Sequence, residues 1–252
     1  GTLTLAGPGD LDLSGGTVAL TTTDEAITVT GTIDDDSAAD SALTLISGSG
    51  SVDLQGDVGS TTSLGTFTVA SASQADLPVV TASWLGVMAD NIDLNAATYT
   101  ATSGGTTFRG AVDLDAGAVT TTVDSSAGNG AIALTSTIDD AAGDTALTLE
   151  AGTGTVTTGG AIGGTSGVGT FTVASASQAD LAAIADAASI AVTADNIDLN
   201  AATYTATTGG ITFTGPVDLD AGAVTTTVDS SAGAGDLALT STLENSAEDT
   251  AL

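Results

Sequence analysis

Short runs in which apolar residues alternate with Thr, Ser or Asp recur along the whole chain. Examples are TVAL at 17–20, ALTLI at 42–46, GTFTV at 65–69 and NIDLN at 91–95. A period of two residues is typical of a strand that buries one of its faces. Gly, Asp, Asn and Ser separate the runs and favour turns. The pattern predicts an all-β fold of many short strands, with 180–191 the one candidate for a helical turn or two.

Three long segments of the chain occur twice. FTVASASQADL at 67–77 returns at 171–181, DNIDLNAATYTAT at 90–102 returns at 195–207, and VDLDAGAVTTTVDSSAG at 112–128 returns at 217–233. The first pair is offset by 104 residues and the other two by 105, which places a one-residue insertion after Leu181. Self-similarity at a fixed period is typical of repeat architectures.

The phase of this repeat follows from TIDDDSAADSALTL, which ends at Leu45, and TIDDAAGDTALTL, which ends at Leu149. Residues 1–42 are then the end of one copy, 43–146 and 147–251 are full copies, and Leu252 opens the next. We therefore expect one continuous solenoid that is an excerpt of a longer protein, because the terminal copies lack the atypical features of capping repeats.

Two architectures fit a repeat of about 105 residues made of short strands. One is a parallel β-helix with roughly 20 residues per coil, about five coils per repeat and about 12 coils in all. The alternative is a string of tandem immunoglobulin-like β-sandwiches. The narrow interior of a β-helix suits the Leu, Val, Ile and Ala that dominate the apolar positions. The three prolines mark no regular linker, so the β-helix is favoured.

A family resemblance agrees with this choice. The runs SALTLISGSGSVDLQGDVGS at 41–60 and ALTLEAGTGTVTTGGAIGG at 146–164, each followed by GTFTV, resemble the repeats of filamentous-haemagglutinin-like proteins, and so does TYTATTGGITFTGPVDLDAG at 203–222. These are giant repetitive bacterial surface adhesins, exported by two-partner or autotransporter-like routes. The resemblance implies a right-handed parallel β-helix and a place on the bacterial cell surface.

The charge balance excludes several classes of function. The chain carries 31 acidic residues against one basic residue, Arg109, and it has no His and no Cys. Nucleic acids and anionic membranes need Lys and Arg, and most zinc, haem and copper sites need His or Cys. Catalytic triads with His cannot be built. We expect an extracellular protein that is not an enzyme and does not insert into a membrane, because an acidic surface stays hydrated in saline surroundings.

An acidic cluster recurs at one position of the repeat. Crowded carboxylates in a loop are the ligands that Ca²⁺ prefers, although a solvated turn would have the same composition. The cluster predicts candidate cation ligands at Asp34, Asp35, Asp36 and Asp40, at Asp139, Asp140 and Asp144, and at Glu244, Glu248 and Asp249.

Other surface features have weaker functional interpretations. Alternate Asp residues in DNIDLN and VDLDAG are expected to point outward from strands. The Thr runs at 21–23, 120–122 and 225–227 would suit ice binding, but also ordinary strand pairing. Trp84, Met88 and Arg109 are the chemically distinctive residues without a repeated counterpart. Trp84 is therefore the candidate contact for a glycan or receptor.

Together these patterns predict a stalk or filament shaft of a secreted bacterial surface adhesin. Direct binding of a glycan or receptor is the alternative, and ice binding or a polysaccharide-active enzyme is less favoured. The expected partners are neighbouring repeats, other copies in a fibre, divalent cations, and host-cell or matrix glycans or proteins.

Overall fold

The computed structural model describes residues 1–7, 10–36, 41–117, 120–141, 144–222 and 224–245. Parallel strands stack in a β-solenoid of about ten turns, and the predicted right-handed parallel β-helix is confirmed. The sandwich alternative is wrong, because immunoglobulin-like sheets are antiparallel whereas the strands here pair in parallel from β1 to β27. No helix in the described ranges is long and apolar enough to cross a membrane.

The strands are short, and most hold three to five residues. The first nine are β1 Leu3–Leu5, β2 Leu11–Leu13, β3 Thr17–Thr21, β4 Ile27–Val29, β5 Ile33–Asp35, β6 Ala42–Ile46, β7 Ser51–Leu54, β8 Leu64–Ser71 and β9 Gln74–Leu77. The next nine are β10 Val80–Leu94, β11 Thr98–Ala101, β12 Thr106–Leu114, β13 Thr121–Asp124, β14 Ile132–Leu134, β15 Ile138–Asp139, β16 Leu147–Glu150, β17 Thr155–Thr158 and β18 Val168–Ser175. The last nine are β19 Gln178–Leu181, β20 Ile184–Thr193, β21 Ile197–Leu199, β22 Thr203–Ala206, β23 Ile211–Thr214, β24 Val217–Leu219, β25 Thr227–Asp229, β26 Leu237–Leu239 and β27 Leu243–Glu244. A 3₁₀ turn, Ser126–Gly128, follows β13.

The strand pairings arrange each turn of the described chain into three faces, each with one inward residue stacked on that of the next turn. On face A the column is Leu3, Ile27, Val52, Ala75, Ile92, Val112, Ile138, Ile162, Ile184, Tyr204 and Val228. On face B it is Leu11, Ile33, Val58, Val80, Tyr99, Val123, Leu149, Val173, Val192, Phe213 and Leu239. On face C it is Val18, Leu43, Phe67, Leu85, Thr106, Ile132, Val156, Ala179, Ile197, Val217 and Leu243.

These columns form the core of the rod. Medium aliphatic side chains fill most positions, and they are fully buried except near the two ends, where Leu239 and Leu243 are exposed. The larger Tyr99 fits because its hydroxyl donates a hydrogen bond to the Leu77 carbonyl at 2.8 Å, and its ring meets Phe108 edge-on at 6.2 Å. Tyr204 makes the equivalent bond to Leu181 at 2.8 Å. Burial raises the pKa of both phenols.

The sequence repeat does not match a whole number of turns. Four full turns from Ala75 on face A lead to Ile162, and the chain then crosses face B at Val173 before it reaches Ala179 on face C. Ala179 is the repeat counterpart of Ala75. Each repeat therefore advances by four and two-thirds turns rather than the expected five, and equivalent residues lie on different faces.

Coil length explains why about ten turns replace the expected 12. The step from Ala75 to Ile92 takes 17 residues, but the step from Val112 to Ile138 takes 26. The segment 180–191, suggested as helical, is instead strand in β19 and β20. The inserted residue lies between Ile184 and Ala187, because Ile184 is offset by 104 residues from Val80 and Ala187 by 105 from Ala82.

Candidate functional site

A row of outward carboxylates follows the rod, which we call the acidic ladder. On face A each rung stacks on the next, in the order Asp53, Asp76, Asp93, Asp113 and Asp139. In the following copy the row has moved to face C, with rungs Asp180, Asp198, Asp218 and Glu244. Neighbouring strands lie about 4.8 Å apart, so successive carboxylates are close neighbours.

Alternation along each strand aims these side chains outward. In β21 the residues Ile197 and Leu199 are buried while Asp198 between them is partly exposed. The outward direction predicted for DNIDLN and VDLDAG is therefore confirmed. The stacking of these motifs into one row could not be read from the sequence, because the rungs have no fixed spacing along the chain.

Amide side chains bridge part of the ladder. The Gln74 amide donates to Asp76 at 2.8 Å and to Asp93 at 2.7 Å, while the Asn91 amide also donates to Asp93. The next copy repeats the arrangement, with Gln178 donating to Asp180 at 2.6 Å and to Asp198 at 2.7 Å. These donors partly compensate the repulsion between adjacent carboxylates.

Proton affinity is highest in the middle of the ladder. Burial, a hydrogen bond to Asp76 and the charge of Asp76 raise the pKa of Asp93 to about 6, although the Gln74 amide opposes the shift. Burial and Asp180 raise the pKa of Asp198 for the same reasons. Burial, followed by the charge of Asp113, raises the pKa of Asp115 beside the ladder. Each effect disfavours the charged carboxylate, and a positive charge nearby would reverse it.

One group of carboxylates has the spacing of a cation site. Oxygen atoms of Asp93, Asp113 and Asp115 all lie within 4.8 Å of one another. Hard oxygen ligands at this spacing fit Ca²⁺ better than a transition metal. None of the three belongs to the acidic cluster for which the sequence predicts cation binding.

That predicted cluster instead holds turns of the chain in place. The Asp34 carboxylate accepts hydrogen bonds from the backbone N–H groups of Thr61 at 2.7 Å and Thr62 at 3.2 Å. Its counterpart Asp139 accepts from Thr165 at 2.7 Å and Ser166 at 3.1 Å. Each carboxylate therefore fixes a turn in the following coil.

The other members of the cluster lie nearby or elsewhere. Buried Asp35 accepts hydrogen bonds from the Ser41 backbone N–H at 2.8 Å and the Ser41 hydroxyl at 3.0 Å, and buried Asp140 accepts from the Thr145 N–H. Asp36 and Asp144 are exposed, and exposed Glu244 is the last rung on face C. Asp40, Glu248 and Asp249 lie outside the described residues. Calcium binding by this cluster stays a prediction.

A second surface, the Trp84 platform, occupies the outer side of face C. Trp84 is 39% exposed and Met88 is 48% exposed. Arg109 pairs in register with Met88 on the next turn, and Thr68 and Thr107 flank Gly86 on the turns before and after. Together they line a shallow groove of about 220 Å³.

Glycine makes room for the indole. A Cβ atom at Gly86 would lie 2.2 Å from Cη2 and 2.3 Å from Cζ3 of Trp84, so the ring occupies the space over the Gly86 backbone. A Cβ atom at Gly104 on the next turn would lie 3.0 Å from Cδ1 of the same ring. The indole therefore lies along the sheet surface rather than projecting from it.

The second copy of the repeat lacks this surface. On face B, Ser189, Ala191 and Thr193 stand at the positions of Trp84, Gly86 and Met88, and Thr214 stands at the position of Arg109. Sequence comparison identified the three distinctive residues, but only the pairing of β10 with β12 shows that they meet. No protein-family model, curated protein or solved structure matches this chain.

Proposed function

We propose that this chain is a segment of the structural shaft of a large extracellular bacterial surface protein. In that role it holds a distal adhesive region away from the cell or builds a surface filament. The observation that most supports this function is the continuity of the three stacked columns, which run from β1 and β2 to β26 and β27. Ten steps of about 4.8 Å give the described part a length of about 48 Å.

The acidic ladder fits a shaft. It lies on face A in one copy and on face C in the next, and the same shift would bring a third copy's ladder to face B. The charge is thereby distributed around the rod, so that neighbouring rods repel one another from every side. Divalent cations, the expected small partners, would weaken this repulsion and allow copies to associate into a fibre.

The proposed location on the bacterial surface is based on composition and on the resemblance of the repeats. A formal charge of −30 keeps an extended rod hydrated in saline surroundings. The repeats resemble those of giant exported adhesins, in which such segments form the long middle of the molecule.

Direct recognition of a glycan or receptor is the second candidate function. It is favoured by the Trp84 platform, because this surface interrupts the repeated Thr, Ser and Asp composition of the rod. Ice binding has less support: in the run 120–122, Thr121 is buried and its hydroxyl donates to the Ala96 carbonyl at 3.2 Å.

A height measurement on cells tests the shaft function. One, two or four copies of residues 43–146 would be inserted between a surface anchor and a distal epitope on bacteria. The epitope height should increase by about 22 Å per copy, since four and two-thirds turns rise at about 4.8 Å per turn. An epitope height that does not increase with the number of copies would overturn the shaft function.

A further inference from the structure

We propose that the Trp84 platform is a binding site for an acidic saccharide, with Trp84 stacking on the sugar ring and Arg109 pairing with a uronate carboxylate. This inference builds on the second candidate function, and its failure would leave the shaft function untouched.

The indole supplies a stacking surface. One side of the ring lies over the Gly86 backbone, and the side chain remains 39% exposed. A flat aromatic face held in one orientation stacks against the C–H groups of a pyranose ring, and the sheet beneath Trp84 fixes that orientation before any ligand arrives. Met88, 48% exposed, extends the apolar surface along the same strand.

Arg109 determines the charge of the ligand. It is the only Lys or Arg in the chain, its side chain is exposed, and no ion pair joins it to a carboxylate among the described residues. A guanidinium offers parallel N–H donors that match a carboxylate in two-point contact. A single unpaired cation beside a stacking ring therefore fits an anionic sugar better than a neutral one.

The surrounding surface is compatible with an anion despite the charge of the whole chain. Along face C the outward residues next to the platform are uncharged, in the order Thr44, Thr68, Gly86, Thr107, Ala133 and Thr157. Over the same turns the acidic ladder lies on face A. An acidic saccharide can therefore approach face C, where the Thr68 and Thr107 hydroxyls supply donors and acceptors for its own hydroxyl groups.

The shape of the groove favours a saccharide over an apolar peptide. The groove is shallow, and an anchoring Leu or Phe side chain of a peptide would need a deeper pocket to lose its contact with water. A sugar ring needs one flat face and a rim of polar groups, which Trp84, Arg109 and the two threonines provide.

Fluorescence gives a direct test, because Trp84 is the only tryptophan in the chain. The protein would be titrated with hexagalacturonate, and with neutral maltohexaose as the comparison, in about 0.15 M salt with EDTA to limit long-range repulsion and cation bridging. We expect a saturable change in Trp84 emission with hexagalacturonate and a much weaker one with maltohexaose. The absence of saturation with hexagalacturonate, or equal affinity for both sugars, would overturn the proposal.

Variants taken from the second copy separate binding from folding. Arg109→Thr introduces the residue found at Thr214 and should weaken hexagalacturonate binding by about tenfold or more. Gly86→Ala introduces the residue found at Ala191, which the sheet tolerates there, and should weaken binding by displacing the indole. The matched controls Thr193→Ala and Ser189→Ala should bind as the parent does. If both platform variants bind with unchanged affinity while their melting temperatures also match the parent, the proposal is wrong.

Discussion

Tyr99 and Tyr204 occupy the same position of the sequence repeat but lie on different faces of the rod. Tyr99 stacks between Val80 and Val123 on face B, whereas Tyr204 stacks between Ile184 and Val228 on face A. Their local surroundings are nevertheless alike, because each hydroxyl donates to a leucine carbonyl at 2.8 Å. Local structure therefore repeats every 105 residues, while the direction in which it faces does not.

Removal of the Tyr99 hydroxyl should destabilise the rod. In Tyr99→Phe the buried Leu77 carbonyl loses its donor and the Ala96 N–H loses its acceptor, at present 2.8 Å and 3.1 Å away. We expect the free energy of unfolding to fall by about 1–3 kcal/mol in urea denaturation. Tyr204→Phe should have a similar effect. A loss for one tyrosine and none for the other would contradict the structural equivalence of the two sites.

A buried hydroxyl in the column of face C should be replaceable at a gain. The Thr106 side chain is fully buried and its Oγ1 has no hydrogen-bond partner in the described structure, while Ile211 stands at the same position of the next copy. Thr106→Val keeps the shape and removes the unpaired polar atom, so it should stabilise the fold by about 1 kcal/mol. Ile211→Thr is the reverse control and should destabilise it. A stability loss in Thr106→Val, measured by urea denaturation, would show that the hydroxyl has a partner.

The stability of the rod should depend on the protonation of the acidic ladder. Burial and Asp76 raise the pKa of Asp93 from 3.8 to about 6, so the folded state binds more protons than the unfolded state between these values. Stability from this group is then greatest below the unfolded pKa and falls as the pH rises through about 6. Asp93→Asn should be more stable than the parent at pH 7 and less dependent on pH between 4 and 7.

The control for that experiment is Asp90→Asn, which removes an exposed carboxylate outside the ladder. It should leave the slope of unfolding free energy against pH unchanged. If Asp93→Asn and Asp90→Asn have the same slope, repulsion within the ladder does not determine the pH dependence.

Asp139 should act as a turn cap whether or not calcium is present. Its carboxylate accepts backbone hydrogen bonds from Thr165 and Ser166, so Asp139→Ala should cost about 1–3 kcal/mol of stability. Unfolding would be measured in EDTA and again with millimolar Ca²⁺. A cost that appears only with Ca²⁺ would assign Asp139 to ion binding instead.

The sequence was sufficient for the fold but not for the arrangement of its surface. Alternating residues such as those of NIDLN fix which side chains enter the core, because a strand side chain has two possible directions. The acidic ladder could not be foreseen, since Asp76, Asp93, Asp113 and Asp139 are separated by 17, 20 and 26 residues. Loops of different length lie outside the columns, so stacked residues share no fixed period.

The face on which each repeat lies depends on the same loop lengths. An average of about 20 residues per coil predicted five turns per repeat, whereas longer coils such as that from Val112 to Ile138 reduce the number to four and two-thirds. The Trp84 platform illustrates the limit from the other side. Trp84, Met88 and Arg109 were recognised as distinctive, but their proximity depends on the register of β10 and β12.

The most direct test of the account is electron microscopy of a rod built from six copies of residues 43–146, with one gold-labelled residue at the same position of every copy. We predict labels that rise by about 22 Å per copy and turn by two-thirds of a circle, returning to the same side of the rod every third copy, about 67 Å along the axis. Labels on one side of the rod in every copy, or spaced about 40 Å apart as in a string of sandwich domains, would contradict it.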